Sequence, residues 1–94
     1  MPLREIRAKI EKLDNQIVEL IEQRTALAKN VLDAKKAEGK PINDVDQNKI
    51  VLDRISNTAT ERGLDGEEVK RIFEILIQMN IERQHELSGE GNLP

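Results

Sequence analysis

The stretch EIRAKIEKLDNQIVELIEQRTALAKNVLDAKKA, residues 5–37, decides how the rest of the chain is read. Ile6, Ile10, Leu13, Ile17 and Leu20 are separated by steps of 4, 3, 4 and 3, and Leu27, Val31 and Ala34 resume in the same phase. This is the repeat of one face of a long amphipathic helix. The position that completes the phase between Leu20 and Leu27 is Arg24, a cation where a packing residue is expected. Such an exception either marks a site or only weakens the packing. Lys35 lies eleven residues beyond Arg24, about three turns at roughly 3.6 residues per turn, so both project from nearly the same side. Two cations therefore face inward along one apolar seam.

A helix of about 33 residues rises roughly 50 Å, well beyond the diameter of so short a globule. One copy cannot cover it, so the sequence predicts a seam completed by other helices and by a second chain, with a homodimer as the minimum. Glu38-Gly39-Lys40-Pro41 ends the helix, since Gly39 can take the left-handed cap and Pro41 blocks continuation. A second helix is predicted from Val45 to Arg62, with Asp44 as N-cap and an apolar stripe of Val45, Leu52, Ile55 and Ala59 widened by Ile50 and Val51. Gly63 ends it. A third helix begins at Leu64-Asp65-Gly66-Glu67-Glu68, with Asp65 and Glu68 able to cap reciprocally, and buries Val69, Ile72, Phe73, Leu76, Ile77 and Leu87. Asn80 and Gln84 continue that face at steps of four, so amides stand where Leu or Ile is expected. Residues 1–87 read as one helical domain, and 88–94 as a flexible tail.

Composition supports an all-α protein: Phe73 is the single aromatic, Gly and Pro are sparse, and 35% of residues are charged. A net charge of −3 with no basic face argues against nucleic-acid binding. The absence of cysteine excludes disulfides, thiolate catalysis and zinc–cysteine sites. Met1 to Glu5 lacks a signal-peptide core and no apolar run reaches membrane-span length, so a soluble cytoplasmic protein without membrane contact is expected.

His85 is the only histidine, and no Ser-His-Asp or HExxH arrangement accompanies it. It reads as a solvated residue near a helix end rather than a catalyst. The inward groups are a guanidinium, an ammonium and carboxamides, which suit a small ligand with several carboxylates. Each also has a purely structural reading. Arg24 could pair with a buried Glu or set coiled-coil register, Lys35 could serve the helix dipole and reach water, and Asn80 and Gln84 could bridge helices.

Leu3-Arg4-Glu5-Ile6-Arg7, Leu13-Asp14, Glu22-Gln23-Arg24, Leu27-Ala28, Ala34-Lys35, Pro41-Ile42-Asn43-Asp44, Leu64-Asp65 and Ile72-Phe73-Glu74-Ile75-Leu76-Ile77 together resemble the all-helical AroQ-type chorismate mutases, from about Leu3 to Leu87. The resemblance implies an intertwined homodimer of three-helix subunits that converts chorismate to prephenate in aromatic amino-acid biosynthesis. It implies that Arg24 grips the side-chain carboxylate and that Arg7 reaches the second carboxylate from the other subunit. Arg7 stands 17 residues before Arg24 and points about 100° away on an ideal helix, which agrees with that division. Lys35 and Gln84 would hydrogen-bond the ether oxygen, Asp44 would sit near the ring hydroxyl, and Asn80 occupies a pocket position that is small and polar in relatives. The reaction is an intramolecular pericyclic rearrangement needing no nucleophile, metal or cofactor.

Two residues depart from the family pattern. Where an arginine and a glutamate are expected three and four residues after Asp44, this chain has Gln47 and Asn48. Asn48 can still hydrogen-bond a hydroxyl, without charge assistance, so weaker binding or slower turnover is expected. The departure keeps open an isochorismate pyruvate-lyase, which resembles the same fold. A non-catalytic helical dimer is the alternative from another class.

Overall fold

The expected first helix is interrupted once, at Leu27. The computed structural model describes residues 1–89, and these form four helices and no strand: α1 (Leu3–Ala26), α2 (Ala28–Glu38), α3 (Val45–Glu61) and α4 (Gly66–Ser88). Leu27 alone separates α1 from α2, with φ −75° and ψ −6°. Its N–H bonds the Arg24 carbonyl, three residues back rather than four, at 3.3 Å. Two side chains act on the same turn. Thr25 Oγ1 donates to the Ile21 carbonyl at 2.9 Å, a back-bond of the kind that bends helices, and Asn80 Nδ2 donates to the Arg24 carbonyl at 3.5 Å. Val31 N–H then returns to the four-residue ladder on the Leu27 carbonyl. One unbroken helix over 5–37 is therefore corrected to two segments.

The other helix ends follow the chemistry expected of them except at Glu68, whose carboxylate accepts from Arg71 Nη1 where a reciprocal cap would have it return to Asp65. Gly39 adopts φ 69°, and Lys40 N–H reaches back to the Lys35 carbonyl at 2.8 Å. Asp44 caps α3 by accepting from Gln47 N–H at 3.2 Å, and Asp65 caps α4 by accepting from the N–H groups of Glu67 and Glu68. Ser88, expected in the tail, is the last residue of α4, and Gly89 caps it. The remainder of the expected tail, residues 90–94, lies outside the described residues.

The α3–α4 turn depends on Gly66 for a reason of space. A Cβ there would stand 2.6 Å from Thr60 Oγ1 and 2.8 Å from the Ser56 carbonyl. Both obstacles sit on the last turns of α3, and Thr60 Oγ1 already donates to that carbonyl. The Gly66→Ala variant is expected to lose about 1–3 kcal/mol of stability, seen as a lower midpoint in thermal or urea unfolding.

Helix α4 is the element against which all the others pack, α3 most extensively. The buried side chains are few: Ala28 and Leu32 of α2, Ala59 of α3 and the polar Gln84 of α4 itself. The expected seam takes no part in this core. Ile6, Ile10, Leu13, Ile17, Leu20 and Leu27 remain between 40% and 62% exposed, and α1 contains no buried residue. Ala28 and Leu32, the buried residues of α2, lie off the seam. Val45, Ile50, Ile72 and Leu87, expected to be buried, also face outward. The described molecule measures 53 × 28 × 22 Å with a radius of gyration of 16.5 Å, against about 12 Å for a globule of this length. Among the described residues, no helix is long and apolar enough to cross a membrane.

Candidate active site

Arg24 lies in the last turn of α1 beside the middle of α4, and Nη1 donates to the Leu76 carbonyl at 3.1 Å. One bond leaves most of the guanidinium fork unused. Partial burial lowers its pKa, and Arg54 on α3 lowers it further by repulsion. The group stays charged all the same. Its surroundings thus favour an anion.

Lys35, one helical segment later, enters from α2. Nζ donates to Gln84 Oε1 at 3.1 Å and to the Ile42 carbonyl in the turn before α3. Gln84 is only 2% exposed, and its Nε2 donates to Asn80 Oδ1 at 2.6 Å. Asn80 in turn donates to the Arg24 carbonyl. A single chain of hydrogen bonds therefore runs from the α2–α3 turn through Lys35, Gln84 and Asn80 to the backbone break beside Arg24. This network fixes the rotamers of the polar groups. By donor count, Lys35 and Gln84 each retain one N–H for something else. Desolvation lowers the Lys35 pKa, while the negative charge of Asp44 works in the opposite direction.

These groups border one cleft of about 250 Å³. Arg24, Lys35, Asn80 and Gln84 line it from α1, α2 and α4, and Asp44, Gln47 and Asn48 line it from the start of α3. Its apolar wall is made by Leu27, Val31, Val51, Ile77 and Ile81. Every site residue expected from the sequence is present except Arg7, which does not line it. Arg7 is about 25 Å further along the helical axis and cannot serve this chain's own cleft. Chemically the cleft offers two cations and a buried amide donor held by hydrogen bonds, together with Asp44 and Asn48 at the start of α3. Such an arrangement is chemically suited to a small ligand carrying carboxylates and a hydroxyl group.

Residues 6–85 match the family described as chorismate mutase type II. The chain belongs to the type II chorismate mutase family. Over 78 residues it is 44% identical to the chorismate mutase of Methanocaldococcus jannaschii, a match spanning 83% of this chain and 79% of that protein. It is 30% identical over 86 residues to the bifunctional chorismate mutase/prephenate dehydratase of Escherichia coli, and 28% identical over 81 residues to the protein of that description in Buchnera aphidicola. Those two matches cover 92% and 86% of this chain but 22% and 21% of the bifunctional proteins, so the chain spans about a fifth of their length.

Within this type II chorismate mutase chain, the sequence reading overlooked Ile81, one turn beyond Ile77 on the wall of the cleft. A step of four from Ile77 was the available signal. Leu27 and Val31 were read only as seam residues and Val51 only as part of a stripe, yet each closes the cleft. Arg54 gave no signal in the sequence, because its influence on Arg24 acts between helices rather than along one.

Proposed function

We propose that this cleft is where the chain, as a chorismate mutase, rearranges chorismate to prephenate, and that its residues divide the work as follows. The observation that carries the assignment is the convergence of Lys35, Gln84, Asn80 and Arg24 through one hydrogen-bond chain onto the same cleft. Arg24 receives the side-chain carboxylate on the unused part of its fork. Lys35 and Gln84 direct their remaining N–H groups at the ether oxygen, on which negative charge grows as its bond to the ring carbon breaks and the new carbon–carbon bond forms. Asp44 and Asn48 face the ring hydroxyl. The apolar wall from Leu27 to Ile81 holds the substrate in the compact conformer that brings the two reacting carbons together. No proton needs to move and no nucleophile is required. Catalysis is positioning plus electrostatic stabilisation by donors already held in place.

The second carboxylate lacks a partner in a single chain. We assign it to Arg7 of a second copy, with the exposed seam of α1 as the surface on which the two copies meet. The support is the exposure of Ile6, Ile10, Leu13, Ile17 and Leu20 and the distance of Arg7 from its own cleft. Cytoplasmic aromatic amino-acid biosynthesis is the setting this reading implies. The pyruvate-lyase alternative gains no support from the three relatives named above, whose descriptions all include chorismate mutase.

The test is a continuous absorbance assay on purified protein and chorismate, with the product identified by chromatography as prephenate or pyruvate. Prephenate formation proportional to protein is expected; release of pyruvate would overturn the assignment. The pH profile follows from the burial of Lys35. Its pKa is lowered, so the ammonium loses its proton at a lower pH than an exposed lysine does. Accordingly, kcat/KM is expected to hold through neutral pH and fall on the alkaline side, with an apparent pKa below the ordinary lysine range.

A further inference from the structure

The acceptor side of the cleft rests on a carboxamide, and a carboxamide has to be turned the right way. Arg24, Lys35 and Gln84 together make the cleft rich in donors, whereas a ligand hydroxyl also needs somewhere to send its proton. Asp44 is one acceptor, and its Oδ1 already receives Gln47 N–H. Gln47 and Asn48 are the other polar groups at this end of the lining, and Asn48 is the one that stands where the family pattern has a carboxylate. A carboxylate at position 48 would present an oxygen whichever way it turned. A carboxamide presents oxygen in one orientation and a donor in the other.

Asn48 Nδ2 donates to Asn43 Oδ1 at 2.9 Å. Asn43 lies in the turn between α2 and α3, exposed and outside the residues that line the cleft. We propose that Asn43 is a positioning residue: by accepting from the Asn48 amide, it turns the Asn48 carbonyl oxygen toward the cleft as acceptor for the substrate hydroxyl. The inference rests on the chorismate mutase reading and adds to it a residue that never touches the substrate. It also explains how a neutral residue at position 48 serves where the family pattern has a carboxylate. The carboxylate supplies its acceptor unaided, whereas Asn48 relies on its neighbour.

The experiment compares Asn43→Ala and Asn43→Asp, each alone and combined with Asn48→Asp, by steady-state kinetics on chorismate, with circular dichroism confirming that each variant is folded. Asn43→Ala is expected to lower kcat/KM about fivefold to tenfold. Asn43→Asp keeps an acceptor in place and is expected to lose less than about twofold. In the Asn48→Asp background orientation no longer matters, and Asn43→Ala is expected to change kcat/KM by less than about twofold. A merely structural Asn43 would give the same loss in both backgrounds. Equal losses there, or Asn43→Asp no better than Asn43→Ala, would overturn the proposal while leaving the mutase activity standing. An unsubstituted chain that forms no prephenate would overturn the activity and the proposal with it.

Discussion

Lys35→Ala is expected to lower kcat/KM for prephenate formation by about 100- to 1,000-fold while the chain remains folded. Two losses combine. The first is the donor aimed at the ether oxygen, and stabilisation of that kind exists only where charge has developed, so its removal falls mainly on kcat. The second reaches further into the fold. Lys35 Nζ is the donor to Gln84 Oε1, and Gln84 is almost wholly buried, so the substitution leaves a desolvated carbonyl without its partner. Gln84 is then free to turn, and its bond to Asn80 turns with it. A double-mutant cycle on Lys35 and Gln84 should therefore be strongly non-additive: Lys35→Ala combined with Gln84→Ala costs little more than either alone. Steady-state kinetics on the three variants measures this directly. Additive losses would mean that the two side chains act separately, against the network described above.

How much of this was legible in the sequence depended on what kind of rule placed each residue. Arg24, Lys35, Asn80 and Gln84 were visible because each is a polar residue at an apolar phase of a helix, and a one-dimensional repeat exposes such exceptions. Asp44 was visible as a helix cap through its capping chemistry, while its place in the site, like those of Gln47 and Asn48, came forward through the family pattern. The break at Leu27 was not legible. It involves the Asn80 amide on the Arg24 carbonyl, two residues separated by 56 positions, and no local signal encodes such a contact. Nor was the choice of buried face. Periodicity identified the Ile6-to-Ala34 line correctly as apolar, but within the single chain Ala28 and Leu32, one step off that line, are the residues buried, and Ile6 to Leu20 stay exposed. The same reasoning applies to Asn43, whose bond to Asn48 depends on the path of a turn rather than on spacing.

The uncovered line leads to the second large effect. Leu13→Glu combined with Ile17→Glu is expected to separate the proposed dimer and lower kcat/KM at least about 100-fold, although neither residue lines the cleft. Both side chains are more than half exposed in the single chain, so the substitutions cost little within it, and helix content should persist. In a dimer they would bring carboxylates into an aliphatic interface, and the proposed Arg7 contact would be lost when the chains part. Sedimentation analysis reads the mass and the absorbance assay reads the turnover. Mixing isolates the role of Arg7 itself. Arg7→Ala and Arg24→Ala are each expected to be nearly inactive alone. If each cleft takes Arg24 from one chain and Arg7 from the other, a mixed dimer concentrates both lesions in one cleft and leaves the second intact. Equal amounts unfolded and refolded together form mixed dimers half of the time, so about a quarter of the unsubstituted activity should return. If Arg7 served its own chain, every cleft in the mixture would carry one lesion and nothing would return. Recovered activity would thus establish both the shared cleft and the direction of the donation, whereas its absence in a mixture shown to contain mixed dimers would overturn the donation of Arg7 across subunits.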